Sequence, residues 1–516
     1  MPRFKLYHSI LALGLLGGLS SCDKDFEEIN TNPNASTTAN PDLLFSQAIL
    51  KGNYVLDRTY FYTSYLGAGM YVQHFANYKD ASLAGMGDKY GINDLYQGFY
   101  FTYLYPNVLE NLRQCMEAAE KAGHVNKVAT ARIWRVLHFQ RLTDLYGDVP
   151  YKDALKGYPE NQFLPGYDAQ SEIYDGLLNE LDQAINALQA GAPTFGVADF
   201  IYHGDVDKWK KFGYSLMLRL AMRLTKRDEN KAKTWAQKAI AGGVIENAAD
   251  NAVVKYFNTG QVYNFNPVAY EIGAQDYKAD AYGDANVEGG KFSKTFIDFL
   301  KNNNDPRLSV MAVTYNGTTP DTTSSIAKGL PSGTLNKPNN FKTFSEPNPA
   351  TILRYDAPLL VLTNAEMSFL LSEAALRGWT NANTASAYFK NGIGNNMRNW
   401  SRFGAAGVIA EPRIAEYVNN NALNTGGSFN DQMNQIHSQF WVALLLDELE
   451  CFANWRRTGY PVLTPTNAPG NQTGAVIPRR FPYLQTERSN NKAAYEAALA
   501  RQGADNLLTR VWWDKQ

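Results

Sequence analysis

The chain has 516 residues, 45% of them hydrophobic and 19% charged, with a formal net charge of −1. This is an ordinary globular composition, and it leaves no basic field for nucleic acid or for an anionic lipid surface. No apolar run beyond Cys22 approaches the ~20 residues that a bilayer-spanning helix needs.

At the start, Arg3 and Lys5 precede the apolar run Ile10-Leu11-Ala12-Leu13-Gly14-Leu15-Leu16-Gly17-Gly18-Leu19, and Ser20-Ser21-Cys22 follows. A basic start, a short apolar core and small residues before a cut predict a secretory signal over residues 1–21. Leu19-Ser20-Ser21-Cys22 resembles a bacterial lipobox, in which the cysteine thiol is lipidated and heads the mature chain. The acidic residues Asp23, Asp25, Glu27 and Glu28 resemble the surface-export signal of lipoproteins from Bacteroidota, which implies display on the cell exterior. Residues 22–42 read as a lipidated cysteine and a flexible tether, because Asn30 to Pro41 is all turn formers and small polar residues.

A single domain is expected over 43–516. Helical patterns recur over 105–122, 126–146, 171–189, 206–226, 230–241, 358–377 and 435–456. In 126–146 the residues Ile133, Trp134, Val136, Leu137, Phe139, Leu142 and Leu145 surround most of the helix, so burial on several sides is expected. Helices in series with short polar breaks predict a mainly α fold, a tetratricopeptide-like scaffold of helical pairs over about 43–250, 356–380 and 430–460. Stretches rich in Gly, Asn, Thr and Pro predict loop-rich insertions over about 253–355 and 381–429, forming a capping subdomain.

Catalytic patterns are missing from the sequence. His74, His124, His138, His203 and His437 are isolated, and no HExxH, CxxC or GxSxG motif occurs. Asp284 to Gly289 copies the first half of an EF-hand loop, but Thr295 stands where a bidentate Glu is needed. No cofactor or metal is expected. Cys115 and Cys451 lie in helical patterns and are expected to be unpaired thiols. Nothing selects a pair of catalytic acids, so a surface glycan hydrolase stands only as a rival reading.

Five blocks occur in order. They are Arg132-Ile133-Trp134-Arg135 leading to Leu145-Tyr146-Gly147-Asp148-Val149-Pro150-Tyr151, then Asn304-Asp305-Pro306-Arg307-Leu308, then Asn364-Ala365-Glu366-Met367 leading to Leu371-Ser372-Glu373-Ala374. Asn454-Trp455-Arg456-Arg457-Thr458-Gly459-Tyr460-Pro461 and Val511-Trp512-Trp513-Asp514 complete them. With the lipobox and Phe26-Glu27-Glu28-Ile29-Asn30-Thr31-Asn32-Pro33, they resemble the SusD/RagB nutrient-binding outer-membrane lipoproteins, in the SusD-like branch. The resemblance implies a lipid-anchored, non-enzymatic protein that sits as a lid on a SusC-like TonB-dependent transporter. It implies an oligosaccharide ligand or, in some branches, a peptide. Glu373 is expected to form a structural ion pair with Arg457 or Arg132.

The ligand site is a separate matter. Sugar recognition needs flat aromatic faces flanked by amides and acids, and loop-borne rings are the better candidates. The chain has 31 Tyr, 26 Phe and 9 Trp. Their placement in polar, Gly-rich loops singles out Tyr78, Tyr90, Tyr277, Tyr282 and Trp400 as stacking residues.

Overall fold

Helices make up most of the described chain, which in this computed structural model is residues 39–52, 59–81, 86–157, 160–275, 290–317 and 319–516. The first are α1 (Pro41–Gly52), α2 (Asp94–Leu104) and α3 (Glu110–Lys121), with π-helical turns at Tyr60–Ala68 and Tyr105–Leu109. Then come α4 (Val125–Tyr146), α5 (Gln170–Ala187), α6 (Val206–Arg223), α7 (Glu229–Gly242) and α8 (Pro267–Gln275). After a strand-containing stretch follow α9 (Lys294–Asn302), α10 (Arg307–Met311), α11 (Asn364–Leu376), α12 (Ala385–Asn399) and α13 (Glu411–Asn420). The last are α14 (Phe429–Ala443), α15 (Glu448–Thr458), α16 (Gln485–Asn490) and α17 (Lys492–Gln502). Residues from Pro41 onward cluster as one compact unit.

Helix α4 is buried on several sides, as its pattern predicts: Trp134, Leu137, Leu142 and Leu145 are all fully enclosed. The Trp134 indole N–H donates to the Ala48 carbonyl at 3.2 Å, which ties α4 to α1. The helix stops at Gly147, where φ is +85° and an added Cβ would lie 2.2 Å from the Gln502 side-chain oxygen. Only glycine meets both conditions. Sequential pairing runs through the scaffold: α4 packs on α5, α6 on α7 and α11 on α12, while α5 also meets α6. This is the tetratricopeptide-like arrangement.

Three expectations change. The 358–377 pattern opens as strand β7 (Leu359–Leu362), antiparallel to β2 (Ala252–Val254), and becomes helical only at Asn364. A continuous apolar run has no diagnostic period, so the partner strand decides its form. The 435–456 pattern is two helices, α14 and α15. The chain turns between them with Leu446 at φ +79°, and the Asp447 side chain caps α15. The 381–429 stretch is not loop-rich, because α12 and α13 occupy much of it. Thr384 caps α12, and Tyr388, Phe389, Ile393 and Met397 bury one side of it. The 253–355 stretch does hold short irregular structure. Its strands include β3 (Gly290–Phe292), antiparallel to β1 (Phe75–Asn77) with Asn77 opposite Gly290. A small sheet of β4 (Ala312–Asn316), β5 (Thr319–Asp321) and β6 (Glu346–Pro347) has the order β5-β4-β6.

Buried ion pairs cross-link the scaffold. Arg219 of α6 grips Glu366 of α11 through two bonds of 2.7 Å. Arg223 reaches Glu450 of α15 and Asp144 of α4 at 3.3 Å. Glu373 pairs with Arg457 at 2.6 and 2.8 Å. Arg132 bonds instead to Glu180 at 3.4 Å and Gln183 at 2.8 Å. His437 Nε2 also lies 3.0 Å from Glu373. Burial pushes the Glu373 carboxyl up, yet Arg457 and His437 together hold it well below the usual carboxylate range. Glu366 goes the other way: burial outweighs Arg219 and pushes it up to about 7. Cys115 and Cys451 are buried and unpaired.

Candidate functional site

Of the sequence-selected residues, Cys22, Tyr277 and Tyr282 lie outside the described residues, as does the Asp284–Gly289 segment. The described chain resumes at Gly290, opposite Asn77 and so beside Tyr78. Tyr78 is half-buried, edge-on to Phe341 at 5.0 Å, with the Lys79 amine 4.9 Å from its ring centre. The amine of Lys337 lies 5.3 Å from the Phe341 ring centre. Tyr78 therefore belongs to a small aromatic and cationic cluster. Thr295, the misfit of the EF-hand-like segment, donates its hydroxyl to the Gln73 side chain at 2.7 Å.

Tyr90 and Trp400 do not offer a stacking face. Tyr90 is 1% exposed. Its hydroxyl accepts the Thr466 N–H at 3.1 Å, and burial pushes its pKa up. Trp400 is 5% exposed; it packs on Phe403 at 4.7 Å and lines a small cavity of about 50 Å³. The glycines that suggested open loops do the opposite. An added Cβ at Gly87 would lie 2.1 Å from the Leu66 carbonyl oxygen, and one at Gly407 would lie 2.1 Å from that of Trp400. These glycines let backbone close in on backbone.

A second aromatic surface was not singled out in the sequence. It is built from the 255–266 loop, the start of α8 and the 351–356 turn. The loop closes through the Phe257 N–H donating to the Asn264 carbonyl at 2.8 Å. Gly260, at φ +76°, makes the turn. Asn266 anchors the assembly. Its N–H donates to the Tyr355 carbonyl at 2.7 Å, its side-chain amide to the Ala357 carbonyl at 2.8 Å. Its side-chain oxygen accepts from the N–H groups of Val268 and Ala269, which caps α8. Phe265 and Tyr355 are thereby stacked at 4.5 Å with an interplanar angle of 9°. Tyr270 lies 6.2 Å from Tyr355. The same loop exposes Tyr263 at 74% and Phe257 at 62%.

Polar groups border these rings. Arg354 and Asp356 form a two-bond pair at 2.8 and 2.7 Å, and both are partly exposed. The Arg354 guanidinium holds the Asp356 carboxyl below the usual carboxylate range. Asn264 and Gln261 stand on the exposed loop. Flat rings beside amides and a fixed ion pair can bind a ligand with apolar faces and hydroxyl edges, as a sugar has. The legible signal was the alternation Tyr263-Asn264-Phe265-Asn266 within a stretch already read as irregular. Among the described residues no group of three His, Cys, Asp or Glu is placed to hold a metal ion.

The family model described as "Starch-binding associating with outer membrane" matches residues 33–484. The chain belongs to the SusD-like family. Solved structures agree with this assignment. A chitin-binding protein is 29% identical with a TM-score of 0.80, covering 92% of this chain and 100% of its own. A SusD-like protein of Bacteroidetes AC2a is 26% identical with a TM-score of 0.82, covering 93% and 100%. A SusD homologue from Bacteroides uniformis is 26% identical with a TM-score of 0.78, covering 93% and 100%. A search among curated proteins gives no match. The SusD-like family associates with the outer membrane, and among the described residues no helix is long and apolar enough to cross a membrane.

Proposed function

We propose that this protein captures an oligosaccharide at the cell surface and delivers it, as a lid, to a SusC-like TonB-dependent transporter, held to the outer membrane by lipid on Cys22. The observation that carries ligand capture is the ring surface of Phe265, Tyr355 and Tyr270 with the exposed Tyr263. Contiguous apolar surface rimmed by polar groups marks interaction sites on proteins. A family described as starch-binding and a chitin-binding relative support carbohydrate as the ligand class. Tyr78, whose neighbour Asn77 pairs with Gly290, joins the proposed ligand set, and Tyr277 and Tyr282 join it on the polar, Gly-rich sequence around them. Binding, not turnover, is the role. Micromolar affinity corresponds to about −8 kcal/mol, which a few stacked rings and polar bonds supply.

The test is calorimetry of the purified protein against chitin- and starch-derived oligosaccharides and against peptides, with product analysis of the same mixtures. Uptake of an intact oligosaccharide is expected. Cleavage products, or binding of peptides alone, would overturn the reading.

A further inference from the structure

A second cleft, sharing no residue with the ring surface above, lies where the end of α2 meets residues 150–157, residues 162–165 and α16. Its volume is about 730 Å³, within the range of ligand pockets. Phe101 and Tyr105 line one wall. The Tyr105 hydroxyl donates to the Pro150 carbonyl at 2.6 Å, which fixes the ring. Phe163, which is 71% exposed, lines the same cleft. Leu155, which lines the cleft, is held at φ +65°, a conformation unfavourable for a leucine. Strain of this kind persists where surrounding structure imposes it, and it clusters at ligand clamps.

We propose that this cleft is a second binding site, for a neutral oligosaccharide. The proposal rests on the reading of the protein as a glycan binder. The rings supply faces for sugar C–H groups. The amides of Gln162 and Asn490 and the carboxylates of Glu110 and Glu487 line the same space and accept or donate to hydroxyls. Both acids are pre-positioned. Glu110 is held by Arg113 at 2.7 and 2.9 Å, and Glu487 accepts the Tyr167 hydroxyl at 2.7 Å. Among the described residues that line the cleft there is no lysine or arginine. Arg113 compensates Glu110, which leaves Glu487 as the carboxylate that an acidic sugar would face with no cation in the lining to meet it, so the site favours neutral sugars. Two sites on one protein give a polysaccharide two simultaneous holds, and the second adds avidity without new chemistry.

Calorimetry on the full chain tests this, using chitohexaose, maltohexaose, cellohexaose and xylohexaose with hexagalacturonate as the acidic probe. Wild type is expected to take up two equivalents of the neutral hexaose that binds, and Tyr355→Ala to weaken one of them roughly 5- to 150-fold. Phe163→Ala removes an exposed ring. It is expected to leave the melting temperature unchanged and to weaken the other site roughly 5- to 150-fold, the loss seen when a stacking ring is removed. A single equivalent, weakened in Tyr355→Ala and untouched in Phe163→Ala, overturns the second site and leaves the proposed function standing. Equal affinity of the cleft for hexagalacturonate overturns the charge argument. No uptake of any neutral hexaose, at either site, overturns both readings together.

Discussion

At the scale of single residues, the chain separates into side chains that hold the frame and side chains that face solvent. Glu373 belongs to the first group. Its folded-state pKa is depressed, so its contribution is present above the unfolded value near 4.5 and is lost as pH falls through the folded value. Glu373→Gln leaves Arg457 buried without its charge partner, which is expected to cost about 3–5 kcal/mol at neutral pH. Urea unfolding at pH 7 and again below pH 4.5 checks this: the variant should lose less stability on acidification than wild type does. Tyr263 and Tyr355 belong to the second group. Replacing either by Ala is expected to cost roughly 1–3 kcal/mol of oligosaccharide binding. Tyr263→Ala should leave thermal stability nearly unchanged, because that ring is mostly in solvent. An affinity unmoved by both substitutions would place the ligand elsewhere. This division was only half legible in the sequence. The ion pair of Glu373 followed from two acids on an apolar helix. The exposure of a given tyrosine did not follow, because Gly-rich surroundings describe an open loop and a tight backbone approach equally well.

At the scale of elements, the long periodic helices were the readable part. The patterns over 126–146, 171–189 and 206–226 correspond to α4, α5 and α6 with ends shifted by a few residues. The misread places are those where a local pattern is compatible with two answers. The Leu359–Leu362 run is a strand because β2 lies beside it. Helix α12 went unseen because its Asn- and Gly-containing sequence reads as loop until Thr384 and the buried Tyr388, Phe389, Ile393 and Met397 are counted together. Capping is the element-level feature most open to test. Ser428 and Asp431 form a reciprocal capping box at the start of α14. Ser428→Ala is expected to lower stability by about 1 kcal/mol, seen as a drop in the urea midpoint with no change in slope. A fall several times larger would mean that Ser428 does more than cap.

For the whole molecule, the family blocks proved to be architecture. Trp134, Glu366, Glu373, Arg457 and Trp513 are all buried, so these residues of the family blocks mark the frame, while the proposed ligand surface is on loops. That is why the family could be read from sequence and the site could not. Attachment and partnership are properties of the intact protein in its membrane. More than one acyl chain is needed for firm anchoring, at ~0.8 kcal/mol per buried CH₂. Cys22→Ala is therefore expected to appear in the soluble fraction or as uncleaved precursor when outer membranes are separated. Gentle detergent extraction of the wild type should bring down a large TonB-dependent transporter in stoichiometric amount. Isolation of the protein alone, under conditions that keep other outer-membrane complexes intact, would argue against the lid.

The link between Trp513 and α4 has a consequence in time. The Trp513 indole donates to Asp144 at 2.8 Å across 369 positions of sequence, and the guanidinium of Arg456 lies 4.8 Å from its ring centre. Synthesis runs from the amino end, so α4 emerges long before the residue that completes its surroundings. A ribosome adding about 5–20 residues per second needs tens of seconds to cover that interval. Through that interval Asp144 can meet Tyr174 and Arg223 but not the Trp513 indole, and the nascent chain stays open on the side that Trp513 later closes.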